Sequence, residues 1–169
     1  MAARARSAGL LLFRRVPAPE VLIAHMGGPF WAGKREGAWS IPKGEVDPDE
    51  DERAAALREF AEELGVEPPP GEPVDLGGFR YSSGKVVRVF ALEAPGFEVA
   101  DLVSNTFEVE WPPRSGTRRE FPEVDEVRWC GLDEARPLLV TGQRPVLDAV
   151  LALLIAEDAV GDDGAGDDS

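Results

Sequence analysis

The residues best suited to chemistry are three glutamates, Glu59, Glu62 and Glu63. On an α-helix at about 100° per residue they fall within an arc of roughly 100°. Leu57, Phe60, Ala61 and Leu64 fall on the opposite side, and Ala55 and Ala56 flank the carboxylates. That pattern predicts an apolar face that packs and an acidic face with little bulk, open to a ligand. Like-charged helical pairs cost a few tenths of a kcal/mol each, and the ordinary outcome for such a helix is a solvated acidic face. Here Arg58 interrupts the acidity, and Gly44 and Gly65 bracket the stretch. Clustered carboxylate oxygens on a rigid helix suit a hard divalent cation such as Mg2+ or Mn2+. The chain has a single histidine, His25, and a single cysteine, Cys130. These counts exclude multi-histidine and cysteine-based metal sites and a disulfide framework, and both residues are expected to be structural.

The acidic helix needs a scaffold. Residues 7–14 and 20–25 read as neighbouring strands, followed by a Gly-rich loop over 26–37 that carries Phe30, Trp31, Lys34 and Arg35. A short extended piece at 39–41 stops at Pro42. The acidic helix spans 49–64, with Gly65 as its stop. Its start has two registers, a cap at Asp47 followed by Pro48 or a cap at Asp49 with Glu52 three residues on. Residues 74–93 read as two strands joined around Ser82-Ser83-Gly84, and 106–111 as another strand. A polar loop over 112–120, a short strand at 127–130, and helices at 133–139 and 145–157 complete the chain.

The 169 residues predict one domain, 1–157, and an acidic disordered tail, 158–169, of Gly, Asp, Ala, Val and Ser. The formal net charge of −14 argues against nucleic acid as the main partner and against anionic membranes. No apolar run is long enough for a signal peptide or a membrane span, so a soluble cytoplasmic protein is expected.

The segment from Gly44 to Val66 resembles the Nudix box, G-x5-E-x7-R-E-U-x-E-E-x-G-U, with U a bulky aliphatic residue. Gly44, Glu50, Arg58, Glu59, Glu62, Glu63, Gly65 and Val66 match it position by position, and Phe60 departs from it at the first U. The resemblance implies an α/β fold, the Nudix-type α/β/α sandwich with a mixed β-sheet. It also implies metal-dependent hydrolysis of a nucleoside diphosphate linked to another group, or, for a degenerate member, nucleotide binding without catalysis. On the same ground Glu62 and Glu63 are the main metal ligands, assisted by the Lys43 carbonyl. Glu59 is a further ligand or the base acting on a metal-bound water, and Gly44, Glu50, Arg58 and Gly65 hold the geometry. A further acid is expected from the loop before a late strand, Glu123 first and Glu120 second.

Pro42-Lys43-Gly44 is similar to the same stretch in hydrolases of dinucleoside polyphosphates and diphosphoinositol polyphosphates. A lysine there places a point charge against a long phosphate chain, which makes a small-molecule polyphosphate the expected substrate. A nucleoside triphosphate, oxidised forms included, is the alternative. Lys43, Arg80, Arg88 and Arg118 are expected to bind substrate, with Lys85, Arg114 and Arg119 as further cations. Phe30, Trp31, Phe79 and Tyr81 are candidates for stacking on a base.

Overall fold

The computed structural model describes residues 6–163. Strand β1, Ser7–Arg14, explains the architecture. Its run Leu10, Leu11, Leu12, Phe13 is apolar on both faces, as befits a strand covered from both sides. Leu10 and Leu12 pack toward α1, Glu52–Leu64, whereas Leu11 and Phe13 join the core of the other face. β1 runs antiparallel to β2, Glu20–Met26, and to β4, Lys43–Glu45, and parallel to β6, Val86–Glu93. With β3, Trp39–Ser40, and β5, Val74–Arg80, the order is β3-β2-β1-β6-β5, and β9, Val124–Gly131, pairs with β2. Helices α2, Leu132–Leu138, and α3, Arg144–Asp163, cover the face opposite α1. The result is a mixed sheet between helical layers.

α1 begins later than either sequence register. Asp51 is the N-cap, its carboxylate accepting from the Ala54 amide at 3.0 Å. Asp47 and Glu50 instead close a turn of their own, with the Glu50 amide donating to the Asp47 carbonyl and the Asp47 amide to the Glu50 carboxylate. Glu50 is held there by Arg58, which keeps it out of the helix. The C-terminus follows expectation: Gly65 adopts φ 70° and donates to the Ala61 carbonyl. Ala55 and Ala56 do not flank an open acidic face. Both are fully buried against the sheet with Phe60 and Leu64, while Leu57 and Ala61 are half-exposed. The packed arc is rotated toward the alanines because only small side chains let the helix lie close to β1.

Two further expectations are corrected. Residues 112–120 are expected to form a polar loop. Instead Arg118–Pro122 forms β8, paired with β7, Thr106–Glu110, in a separate two-stranded ribbon. The ribbon lies outside the main sheet, and β8, unlike β7, carries Arg118, Arg119 and Glu120 in a row and shows no apolar alternation to read. α3 also continues past residue 157 to Asp163, into the segment expected to be disordered, and Arg15 pairs with both Glu157 and Asp158. Residues 164–169 of that tail lie outside the described residues. Among the described residues no helix is long and apolar enough to cross a membrane.

His25 ties the loop after β2 to β9. Its Nδ1 lies 2.7 Å from the Asp125 carboxylate and its Nε2 2.8 Å from the Lys34 carbonyl. Cys130 is buried in the core, where burial pushes its thiol up to about 11.

Candidate active site

Three elements converge at one end of the sheet. β4 supplies Lys43 and Gly44, α1 supplies Glu59 and Glu63, and the residue between β8 and β9 is Glu123. These five line one cavity of about 480 Å³ together with Met26, Gly27, Trp31, Glu45 and Phe107. The close approach of α1 to β4 requires glycine at position 44. A Cβ there would lie 2.0 Å from the Glu59 carboxyl carbon, so Glu59 occupies the space a side chain would fill.

The carboxylates are held at an electrostatic cost. Burial pushes the Glu63 carboxyl up to about 8, opposed by Lys43, whose charge and backbone amide (3.2 Å away) both favour the ionised form. Burial raises Glu59, against the pull of Arg58, and raises Glu123, with Glu62 adding repulsion. Lys43 is lowered by its own burial, although Glu63, Glu59 and Glu123 all favour its charge. Each group would be more easily ionised in water, and only the mutual presence of opposite charges keeps the set together.

Arg58 organises the other side of the helix. Its guanidinium takes Glu50 in a fork, with Nε and Nη2 each 2.8 Å from a carboxylate oxygen. It also reaches the Glu45 carbonyl at 3.0 Å, Glu59 at 2.9 Å and Glu62 at 3.1 Å. The fork holds Glu50 down at about 2 and pushes Arg58 up. Arginine fits this position because a planar five-donor group can satisfy four acceptors at once.

Of the residues singled out in the sequence, the structure brings Lys43, Gly44, Glu59, Glu63 and Glu123 together. Glu62 is turned to Arg58 and does not line the cavity. Glu120 is drawn along the ribbon to Thr106. The three arginines expected at the substrate lie elsewhere. Arg88 pairs with Asp75 and lines a separate cavity of about 750 Å³ with Arg6, Ser7 and Lys85. Arg80 is exposed at the end of β5, and Arg118 is exposed on the ribbon with Glu108 at 3.7 Å. Of the aromatic candidates only Trp31 reaches the carboxylate cavity. Phe30 stacks edge-on with Trp111, while Phe79 and Tyr81 pack on the core. Phe107 was missed. The single sequence signal for it is the pair Gly27-Gly28, whose missing side chains make room for the ribbon.

Among the described residues no three His, Cys, Asp or Glu side chains stand gathered as a ready metal site. Arg58 bonds Glu59 and holds Glu62 away from the cavity, and Lys43 faces Glu63. The donor chemistry nevertheless fits a hard divalent cation. Glu59 and Glu63 are partly buried oxygen donors and Glu123 is a more exposed one; the three repel one another, and a cation would relieve that repulsion.

A mixed sheet between helices, with a helix-borne carboxylate group facing a lysine across one cavity, is the arrangement of a Nudix hydrolase. The chain belongs to that family: the NUDIX domain model matches residues 3–150. It is 32% identical over 124 residues to the CTP pyrophosphohydrolase of Escherichia coli (strain K12), covering 73% of this chain and 78% of that protein. It is 33% identical over 144 residues to the RNA pyrophosphohydrolase of Caulobacter vibrioides, covering 78% and 81%. It is 34% identical over 139 residues to the asymmetrical bis(5'-nucleosyl)-tetraphosphatase of Rattus norvegicus, covering 77% and 81%. The protein is accordingly a Nudix pyrophosphohydrolase, of a family that generally uses divalent metal ions.

Proposed function

We propose that the protein hydrolyses a phosphoanhydride bond in a long phosphate chain attached to a nucleoside, with a dinucleoside polyphosphate as the leading substrate. The observation that carries this reading is Lys43, a cation buried in the carboxylate cavity. A phosphate chain entering an acidic site needs positive charge, and Lys43 provides it at the site itself. The three relatives are named for acting on CTP, RNA and a bis(5'-nucleosyl)-tetraphosphate. A nucleoside triphosphate is the second reading, favoured by the first of these.

Glu59, Glu63 and the Lys43 carbonyl would hold Mg2+ or Mn2+, with Glu62 joining them once it leaves Arg58. Such an ion neutralises the phosphates, orients them and lowers the pKa of bound water. The chain's own contributions are distinct. Glu63, costly to ionise in the metal-free chain, would be held ionised by the cation it ligates. Glu123 approaches from the ribbon side and is the acid we assign from outside the helix. Arg58 and Glu50 fix the loop against α1, and the narrow approach at Gly44 sets where Glu59 stands.

The substrate assignment is tested by Lys43→Ala. A charge-assisted contact is worth roughly 1.5–3 kcal/mol, or about one to two decades in kcat/KM. The loss should be larger for a tetraphosphate-bridged dinucleotide than for a nucleoside diphosphate sugar. An equal loss on both would move the assignment to the nucleoside triphosphate.

A further inference from the structure

The cavity has two kinds of lining. Lys43, Glu59, Glu63 and Glu123 supply charged lining, and Met26, Trp31 and Phe107 supply apolar lining. Phe107 is half-buried yet belongs to neither hydrophobic core. Its ring pairs across the ribbon with Phe121, centroids 6.3 Å apart, and this contact sets its orientation. Core packing therefore does not account for an aromatic residue at this position.

The ribbon is anchored where a specificity element would need to be. At its root the Asn105 amide donates to the Glu62 carbonyl of α1 at 3.0 Å, and the Glu123 amide to the Asn105 carbonyl at 2.8 Å. The loop after β2, which carries Trp31, is pressed against it. The Gly27 amide donates to the Glu123 carbonyl at 2.9 Å, and a Cβ at Gly27 would lie 2.0 Å from the Pro122 oxygen. Gly28, at φ 95°, passes so close that a Cβ would lie 2.6 Å from Phe107. Phe30 and Trp111 close the contact farther out, edge to face at 5.6 Å. Two rings from separate segments thus line one cavity that also carries the charged groups.

We propose that the β7–β8 ribbon is the base-recognition arm of this enzyme, and that a nucleobase stacks on Phe107 and Trp31 while its phosphate chain reaches Lys43 and the carboxylates. This deepens the polyphosphate hydrolase reading and rests on it. Stacking is tolerant of base identity because every base presents a π face. The arm selects for the presence of a base, and it admits more than one kind.

The test is equilibrium binding, which needs no turnover. Each of the four ribonucleoside triphosphates, and inorganic tripolyphosphate, is titrated by calorimetry into wild type, Phe107→Ala, Phe107→Tyr and Trp31→Ala, with Ca2+ present. The expected result is that wild type binds at least one nucleotide roughly tenfold or more tighter than tripolyphosphate. Phe107→Ala should lose most of that margin with tripolyphosphate affinity unchanged, and Phe107→Tyr should restore it. Melting temperature confirms that each variant is folded, and the tyrosine variant preserves the test if alanine is not tolerated. Equal binding of nucleotides and tripolyphosphate by wild type overturns the arm while leaving the hydrolase reading intact. So does a Phe107→Ala variant that weakens both ligands alike. Failure of wild type to bind any of these ligands, or a tetraphosphate-bridged dinucleotide titrated beside them, overturns the hydrolase reading and the arm with it.

Discussion

Replacing Glu63 with glutamine keeps the shape of the side chain and removes the most costly charge in the cavity. In the folded chain the Glu63 carboxyl titrates at about 8, against the ordinary 4.5. Between those values the folded state holds a proton that the unfolded state has released. The stability of metal-free wild type therefore falls as pH rises from 4.5 toward 8 and levels off above it. The full shift corresponds to a ceiling of about 5 kcal/mol, at roughly 1.4 kcal/mol per pKa unit. In a domain of this size that is a melting-temperature difference on the order of 10 °C. Glutamine still offers an oxygen to the Lys43 amide and never ionises. Metal-free Glu63→Gln should match wild type near pH 5 and exceed it above pH 8. Divalent cation should recover less stability in the variant than in wild type. Its turnover should fall by orders of magnitude. The assay is thermal melting in chelator from about pH 5 to about pH 9, with wild type and variant side by side. Glu59 and Glu123 are also raised and add a slope of the same sign to both proteins, so the informative quantity is the difference between them. Parallel curves across the range, or full activity in the variant, would refute the reasoning.

Two other substitutions probe the framework. Gly44→Ala places a Cβ 2.0 Å from the Glu59 carboxyl. Glu59 must swing out, and kcat should drop by about tenfold or more with little change in melting temperature; wild-type turnover would show that Glu59 is not needed where it stands. Arg58→Ala removes the donor to Glu50, Glu59, Glu62 and the Glu45 carbonyl together. It should lower the melting temperature by several degrees, and Arg58→Lys should recover little of this because a lysine cannot fork. Full recovery by lysine would reduce Arg58 to a point charge.

The chemistry was more legible than its surroundings. Charged residues at fixed helical spacing identify α1, and Gly65 marks its end because a left-handed cap favours glycine. Glu50 and Arg58 were expected to hold the geometry, on the resemblance; that they do so by pairing with each other only the structure shows. Less was visible where tertiary contact overrides local pattern. Asp51 caps the helix because Arg58, about two turns later, takes Glu50 away. Ala55 and Ala56 read as a clearing beside the acidic face, yet they are what lets the helix touch the sheet. The cations were assigned by sign alone. Arg88 is spent on Asp75, and Arg118 stands on β8, the charged ribbon strand that read as loop. Phe107 went unnoticed because its value lies in where the ribbon bends over the cavity, which only the folded arrangement reveals.

The most direct test of the account is product analysis by phosphorus NMR and chromatography, on purified protein with nucleoside triphosphates, dinucleoside polyphosphates and nucleoside diphosphate sugars. Each is run in excess chelator and again with Mg2+ or Mn2+ restored. The account predicts cleavage of a phosphoanhydride bond that is absent in chelator, returns with the ion, is fastest on a dinucleoside polyphosphate and is lost in Glu63→Gln. Undiminished turnover in excess chelator, or metal-restored turnover that survives Glu63→Gln unchanged, would contradict it.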